Sequence, residues 1–269
     1  MHITTDDVIV MFHDTTLDRT TNSHGKLAER PYYGADGIEH VRTLEEPVQQ
    51  IPTFEQVCQL LMRPENGHVK FNVDIKPNND PERLFALMSK TVAKFPEFET
   101  ALAPRLILGL WHPKFIAPAK RHVPSLRRAH IGASPTRAEK FFWNDCDAFS
   151  MYFASLVGFE GQHLLQRAGE EGKDVMVWTV NRRDEMIQAA AWGVKAILTD
   201  RTAQLQELRR ELTADFERTR TSGMGPLFDW ANWRYYTPVA WLYQTYALAE
   251  VERAAGSTFS QFPQAVAAA

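Results

Sequence analysis

Apolar and polar positions alternate along this chain in short runs that read as strand, then helix, many times over. In residues 8–12, Val8, Ile9, Val10 and Phe12 are β-branched or aromatic, which predicts a buried strand ending at His13 and Asp14. Residues 22–48 carry Gly25, Pro31, Gly34, Gly37 and Pro47 and read as a loop excursion over one mouth of the fold. Phe54, Val57, Leu60 and Leu61 then share one helical face, with Thr53 as N-cap. In residues 69–76, Phe71, Val73 and Ile75 alternate with Asn72, Asp74 and Lys76, the pattern of a strand with one polar face. A second helix opens at Asp80 as N-cap and Pro81 as first residue, and carries Leu84, Leu87, Met88, Val92 and Phe95.

Further strands are predicted at 105–111, 128–132, 148–153, 174–180 and 196–198, with helices at 135–142, 161–171 and 183–192 between them. Such alternation over about two hundred residues predicts a parallel α/β fold with helices packed outside the strands. A TIM-type barrel is favoured over a flavodoxin-like open sheet, because no G-x-G-x-x-G turn or P-loop occurs. The pattern divides the chain into a barrel over 1–202, a helical, aromatic-rich extension over 203–255 and a disordered tail over 256–269.

Within the extension, residues 203–218 form a charged helix with Leu205, Leu208 and Leu212 on one side, and the Ser222 to Pro226 stretch breaks the chain. Residues 227–251 then hold Trp230, Trp233 and Trp241 with Tyr235, Tyr236, Tyr243 and Tyr246. Crowded amphipathic aromatics suit a peripheral membrane contact or a protein contact, and equally a segment packed back on the barrel. Asp229, Arg234, Pro238 and Gln244 argue against a span.

Composition narrows the field. With 44% hydrophobic and 23% charged residues, the chain is an ordinary globular one, and its formal net charge of -3 gives no case for nucleic acid as a partner. Cys58 and Cys146 are the two cysteines, without metal-ligand spacing, which points to a reduced, intracellular setting, cytoplasmic or peripheral on an internal membrane. Asp6 and Asp7 stand where a secretory signal would need an apolar run.

Two constellations carry candidate chemistry. His13 can move a proton near neutral pH, Asp14 can orient it or bind a metal, and Arg19 with Thr20 and Thr21 can donate to an anion. An ordinary turn with an Asp cap has the same His-Asp signature. Asp74 and Lys76 would project together at a strand end, where barrels keep their chemistry, unless this is an edge strand with a solvated face. A helical His-Asp metal phosphohydrolase is disfavoured, since the pair follows a β-rich run and no histidines stand at i, i+4.

Taken in order, Val10-Met11-Phe12-His13-Asp14, Leu17 through Asn22, Val73-Asp74-Ile75-Lys76, Val177-Trp178-Thr179-Val180-Asn181 and Gly193 through Asp200 resemble the glycerophosphodiester phosphodiesterase family, a metal-dependent TIM-barrel group. The Asp-Ile-Lys motif and Leu108-Gly109-Leu110-Trp111 look most like its fungal phosphatidylglycerol phospholipase C branch. The resemblance spans roughly residues 1–202 and implies His13 as general acid or base, with Asp14 in support. It further implies Asp74 as ligand to Mg2+ or Ca2+, Lys76 and Arg19 on the phosphate, and Trp178 lining the pocket. Family members open with a His-Arg strand and a Glu-x-Asp strand ahead of the position of Met1. The resemblance therefore implies an N-terminally truncated barrel without its first strand and most of its second, lacking two metal carboxylates and one histidine; His2 lies at a different register. Two functions follow: hydrolysis of glycerophosphodiesters or phosphatidylglycerol in lipid metabolism, impaired in this form, or a non-catalytic barrel that binds phospholipid headgroups.

Overall fold

A computed structural model describes residues 1–222 and 225–265, with side chains given for all of these except 225–235. The chain forms two compact units, Met1–Arg127 and Arg128–Ala269.

The first unit opens with an antiparallel ribbon, β1 (His2–Ile3) paired with β2 (Ile9–Val10). The strand predicted over 8–12 is thus shorter and pairs with its own neighbour, not with a parallel barrel strand. Beyond Val10 the partner changes: Met11 N–H donates to the carbonyl of Pro52, and Val10 bridges Thr53. The excursion predicted over 22–48 is a folded piece with its own core, in which Val10, Leu17, Leu27, Tyr32, Ile38, Val41 and Ile51 are buried together. Asp6 ties it down by accepting from the backbone N–H groups of Tyr32 and Tyr33, and Tyr32 Oη donates to the Ile51 carbonyl. Its polar, turn-forming residues mask this core in the sequence, because the apolar positions follow neither period 2 nor period 3.6.

Helix α1 (Phe54–Met62) starts at Thr53, whose hydroxyl accepts from Gln56 N–H while the Gln56 side chain returns to Thr53 N–H. This capping box satisfies two orphan donors and is worth about 1 kcal/mol. Strand β3 (Phe71–Ile75) buries Val73 and Ile75 completely, and α2 (Pro81–Val92) begins at Asp80, which caps Arg83 N–H. Strand β4 (Leu106–Leu110) runs parallel to β3, with Asp74 beside Gly109 and Ile75 beside Leu110. A short α3 (Ile116–His122) packs on α2.

The second unit holds four parallel strands in chain order, β5 (Arg127–Gly132), β6 (Ala148–Tyr152), β7 (Asp174–Trp178) and β8 (Ala196–Ile197). Helix α4 (Pro135–Phe142) follows β5, α5 (Phe153–Val157) and α6 (Phe159–Glu170) follow β6, and α7 (Arg183–Ala191) follows β7. His130 of β5 is buried and stacks on Phe142 of α4 at 3.8 Å between ring centroids.

The helix predicted over 203–218 is broken in two, α8 (Thr202–Ala214) and α9 (Phe216–Thr221), because the Asp215 carboxylate caps Arg218 N–H and starts a new helix. Helix α10 (Gly225–Ala255) contains Pro238 and packs on α5. Gly223 and Met224 of the predicted break lie outside the described residues, as do the side chains of Trp230, Trp233 and Tyr235. The barrel end predicted at residue 202 falls inside the second unit, where α7 packs on both α8 and α9. Where a disordered tail is predicted from residue 256, the described part is ordered: Phe259 is buried in a short turn (Phe259–Gln261) against Phe141 and Phe142. Residues 266–269 of that tail lie outside the described residues. Among the described residues, no helix is long and apolar enough to cross a membrane.

Candidate functional site

The β2 segment delivers His13 and Asp14 to the surface as one hydrogen-bonded chain. His13 Nδ1 lies 2.8 Å from Asp14 Oδ1, and Arg19 clamps the same carboxylate through Nε to Oδ2 at 2.6 Å and Nη2 to Oδ1 at 3.0 Å. Such a bidentate fork is the strongest arrangement available to a carboxylate at a surface. It pulls the Asp14 pKa down to about 2, chiefly through the Arg19 hydrogen bond, against a smaller opposing effect of burial. An ionised Asp14 can only accept, so the contact puts a proton on His13 Nδ1 and turns Nε2 outward as the other nitrogen of the ring. The ring is 76% exposed, so a substrate oxygen can reach it. Arg19, predicted on the phosphate, engages Asp14 through Nε and Nη2.

At the end of β3 the polar face is not a solvated edge. Lys76, just past the strand, donates from Nζ to Asp74 Oδ2 at 2.7 Å, and the Trp111 indole Nε1 donates to Asp74 Oδ1 at 2.7 Å. Burial alone would raise the Asp74 pKa. The Lys76 charge and hydrogen bond outweigh it, helped by the Trp111 hydrogen bond, and hold the carboxyl below its usual range. The Lys76 stem is buried, its side chain 13% exposed. The Met1 amine donates to the carbonyls of Asp74 at 2.9 Å and Phe12 at 3.4 Å, which brings the residue before His13 to the end of β3.

His2 is the residue that the sequence pattern passes over. It is 1% exposed, and neither ring nitrogen has a hydrogen-bond partner. Desolvation is the main cause that drives its pKa down to about 3. Asn72, two residues before Asp74 on β3, likewise buries an unpartnered Oδ1. Unpaired buried polar atoms are costly and mark places where water or a ligand belongs. A histidine in a two-residue strand carries no periodic signal, so only burial reveals it. Trp111 was legible as a strand terminus, but its bond to Asp74 was not.

In the second unit, Trp178 stands at the C-terminal end of β7, and its indole Nε1 donates to the Ser150 carbonyl of β6 at 2.9 Å.

The family model of the glycerophosphoryl diester phosphodiesterases matches residues 1–204. The chain belongs to the glycerophosphoryl diester phosphodiesterase family. It is 21% identical over 221 residues to a glycerophosphodiester phosphodiesterase of Caldanaerobacter subterraneus, a match that covers 78% of this chain and 84% of that protein. Among solved structures, a glycerophosphodiester phosphodiesterase of Parabacteroides distasonis is similar with a TM-score of 0.63 at 18% identity, covering 79% of this chain and 82% of that one. A phosphodiesterase of Oleispira antarctica, solved with its product sn-glycerol-3-phosphate, gives a TM-score of 0.60 at 17% identity, with 77% and 81% covered. The fold is accordingly the TIM-type barrel of this family, with a C-terminal helical addition.

Membership in this family brings the expectation of a divalent cation held by carboxylates. Among the described residues no group of three His, Cys, Asp or Glu side chains converges. Asp74, predicted as a metal ligand, has both oxygens occupied by Lys76 and Trp111. A Mg2+ or Ca2+ site asks for several hard oxygen ligands, so this donor set does not fit a tightly held divalent cation.

Proposed function

We propose that this chain cleaves glycerophosphodiesters, releasing an alcohol and a phosphomonoester. The pairing of His13 with Asp14 is the observation that carries this reading, because it presents an oriented imidazole just beyond β2 in a chain of a phosphodiesterase family. Water attacks phosphorus and the P–O bond to the alcohol breaks. His13 Nε2 exchanges a proton with the attacking or the leaving oxygen. Lys76 supplies positive charge to the phosphate, with Asp74 and Trp111 holding its ammonium in place. Asp14 keeps the His13 tautomer fixed, and Arg19 keeps Asp14 in place.

Phosphatidylglycerol fits the same reading as a diester whose phosphate bears a diacylglycerol. Exposed Trp241, Leu242 and Tyr246 on α10 supply a face by which the chain would meet a lipid surface. A second reading, a headgroup-binding barrel without turnover, is favoured by the absence, among the described residues, of any group of three His, Cys, Asp or Glu side chains that could hold a metal ion. Incubating the purified chain with sn-glycero-3-phosphocholine and with phosphatidylglycerol vesicles, with and without Mg2+ or Ca2+, separates the two. Release of sn-glycerol-3-phosphate or of a phosphomonoester supports the enzyme, and binding without release supports the headgroup module.

A further inference from the structure

Asn72 and Asp74 of β3 share one face of the sheet with Lys76 just beyond it, and β4 runs alongside with Gly109 as the register partner of Asp74. That register brings Trp111, the residue after β4, to the Asp74 carboxylate. Each carboxylate oxygen therefore has a donor at 2.7 Å, the Lys76 ammonium on Oδ2 and the Trp111 indole on Oδ1. All of these residues belong to the first unit, every residue of which is described.

A divalent cation on Asp74 has to displace a donor and then stand beside the Lys76 ammonium, a like charge. The Lys76 side chain is only 13% exposed, so it has little room to retreat. Mg2+ and Ca2+ take about six to eight oxygen ligands, and even a Mg2+ that keeps most of its waters needs a carboxylate oxygen that is not already bonded. The same face adds the buried, unpartnered Oδ1 of Asn72, which is neutral, and the unpartnered atoms of His2 are ring nitrogens, a poor match for a hard ion. A positive charge, by contrast, is already in place. An ammonium has three N–H donors; Lys76 gives one to Asp74, and the other two can meet an anion.

We propose that Asp74 in this chain is a positioning residue for Lys76 and not a metal ligand, and that the braced ammonium binds a phosphomonoester without a divalent cation. Trp111 holds the carboxylate by one oxygen, and the other oxygen fixes where Nζ stands. The inference rests on the reading of Lys76 as the cation that meets the phosphate.

Calorimetry of sn-glycerol-3-phosphate on the full chain tests it, in excess EDTA and in excess Mg2+ or Ca2+. The dissociation constant is expected to agree within about twofold across the three conditions, since no ion bridges protein and phosphate. In EDTA, Asp74→Asn keeps an acceptor for the ammonium and is expected to hold or tighten the affinity, whereas Asp74→Leu, which has none, is expected to weaken it about threefold or more. Tb3+, a hard ion that takes oxygen ligands, supplies a second readout. Bound at Asp74 it would lie close to the Trp111 indole, and light absorbed there would emerge as terbium emission. That emission is expected to be the same in the parent chain and in Asp74→Asn. An affinity that rises about tenfold with either ion, terbium emission that drops in Asp74→Asn, equal affinities in Asp74→Asn and Asp74→Leu, or a parent chain that binds no sn-glycerol-3-phosphate in EDTA overturns the proposal. The parent's comparison with and without a divalent ion needs no variant, so the test stands even where a variant fails to fold. Metal-independent binding with no hydrolysis of any diester overturns the enzymatic reading alone.

Discussion

Lys76 Nζ stands 2.7 Å from Asp74 Oδ2, so the cation expected on the phosphate is already paired with a carboxylate. A phosphate arriving at Lys76 shares that ammonium with Asp74. Lys76→Met keeps the apolar stem and removes the charge, and is expected to weaken sn-glycerol-3-phosphate binding about tenfold or more, the size of a lost charge-assisted hydrogen bond. Asp74→Asn leaves the ammonium unopposed and is expected to hold or tighten the same affinity. Calorimetry on both variants checks this, and an equal loss in the two would give the pair a structural role only.

His13 and Asp14 yield a graded prediction on turnover. His13→Ala removes the group that exchanges the proton and is expected to lower kcat by about a hundredfold or more. Asp14→Asn retains a side chain of the same shape but loses the carboxylate that fixes the Nδ1–H tautomer, and is expected to give a smaller fall. Arg19→Ala acts through Asp14 and is expected to cost least. Initial rates on a soluble glycerophosphodiester supply the ranking, and near-normal turnover by His13→Ala removes it from the mechanism.

The order of these effects depends on contacts that differ in how far the chain's pattern discloses them. Alternation on β3 discloses that Asn72, Asp74 and Lys76 share a face, because a strand has period 2 and Val73 and Ile75 occupy the core. Helices capped by Thr53 and Asp80 are legible for a similarly local reason, since the capping side chain and its target are three residues apart. The antiparallel pairing of His2–Ile3 with Ile9–Val10 is not, because two residues are too short to establish a period and the partner is set by Asp6 and the core beneath Tyr32. The pairing of Trp111 with Asp74 spans 37 residues, and the docking of Tyr236 on Glu185 spans 51, and contacts so distant leave no trace in local pattern. Asp215 shows the opposite error: the helix predicted over 203–218 runs across it, but its side chain serves the backbone of the next helix instead.

Buried His2 makes stability depend on acid. Its pKa is about 3 in the folded chain against an ordinary value of 6.5, so between those two pH values the unfolded chain binds the extra proton and the folded chain does not. Stability from this residue is therefore complete above about pH 6.5 and is lost progressively as pH falls toward 3. Urea midpoints measured from pH 7.5 down to pH 4.5 are expected to decline, and His2→Phe, which cannot take up a proton, to flatten that decline. Parallel pH profiles for the two proteins would mean that His2 titrates normally and is not buried in solution.

The outer face of α10 is the remaining part of the aromatic segment to be accounted for. Tyr236, Ala240 and Tyr243 turn inward, while Trp241, Leu242 and Tyr246 are 68%, 66% and 62% exposed. Deleting the segment would uncover Phe153, so substitution is the cleaner test. Replacing Trp241, Leu242 and Tyr246 together by serine removes the apolar surface and leaves the Tyr236 anchor intact. If this face enters a lipid interface, co-sedimentation with phosphatidylglycerol vesicles should fall by about tenfold or more, since each large apolar side chain that enters contributes on the order of 1 kcal/mol or more. The same variant should keep its hydrolysis of soluble diesters, because none of the three residues belongs to the His13 or Lys76 clusters. Unchanged vesicle binding would assign the face to a protein contact instead, and loss of soluble turnover would mean that these three residues serve the reaction itself.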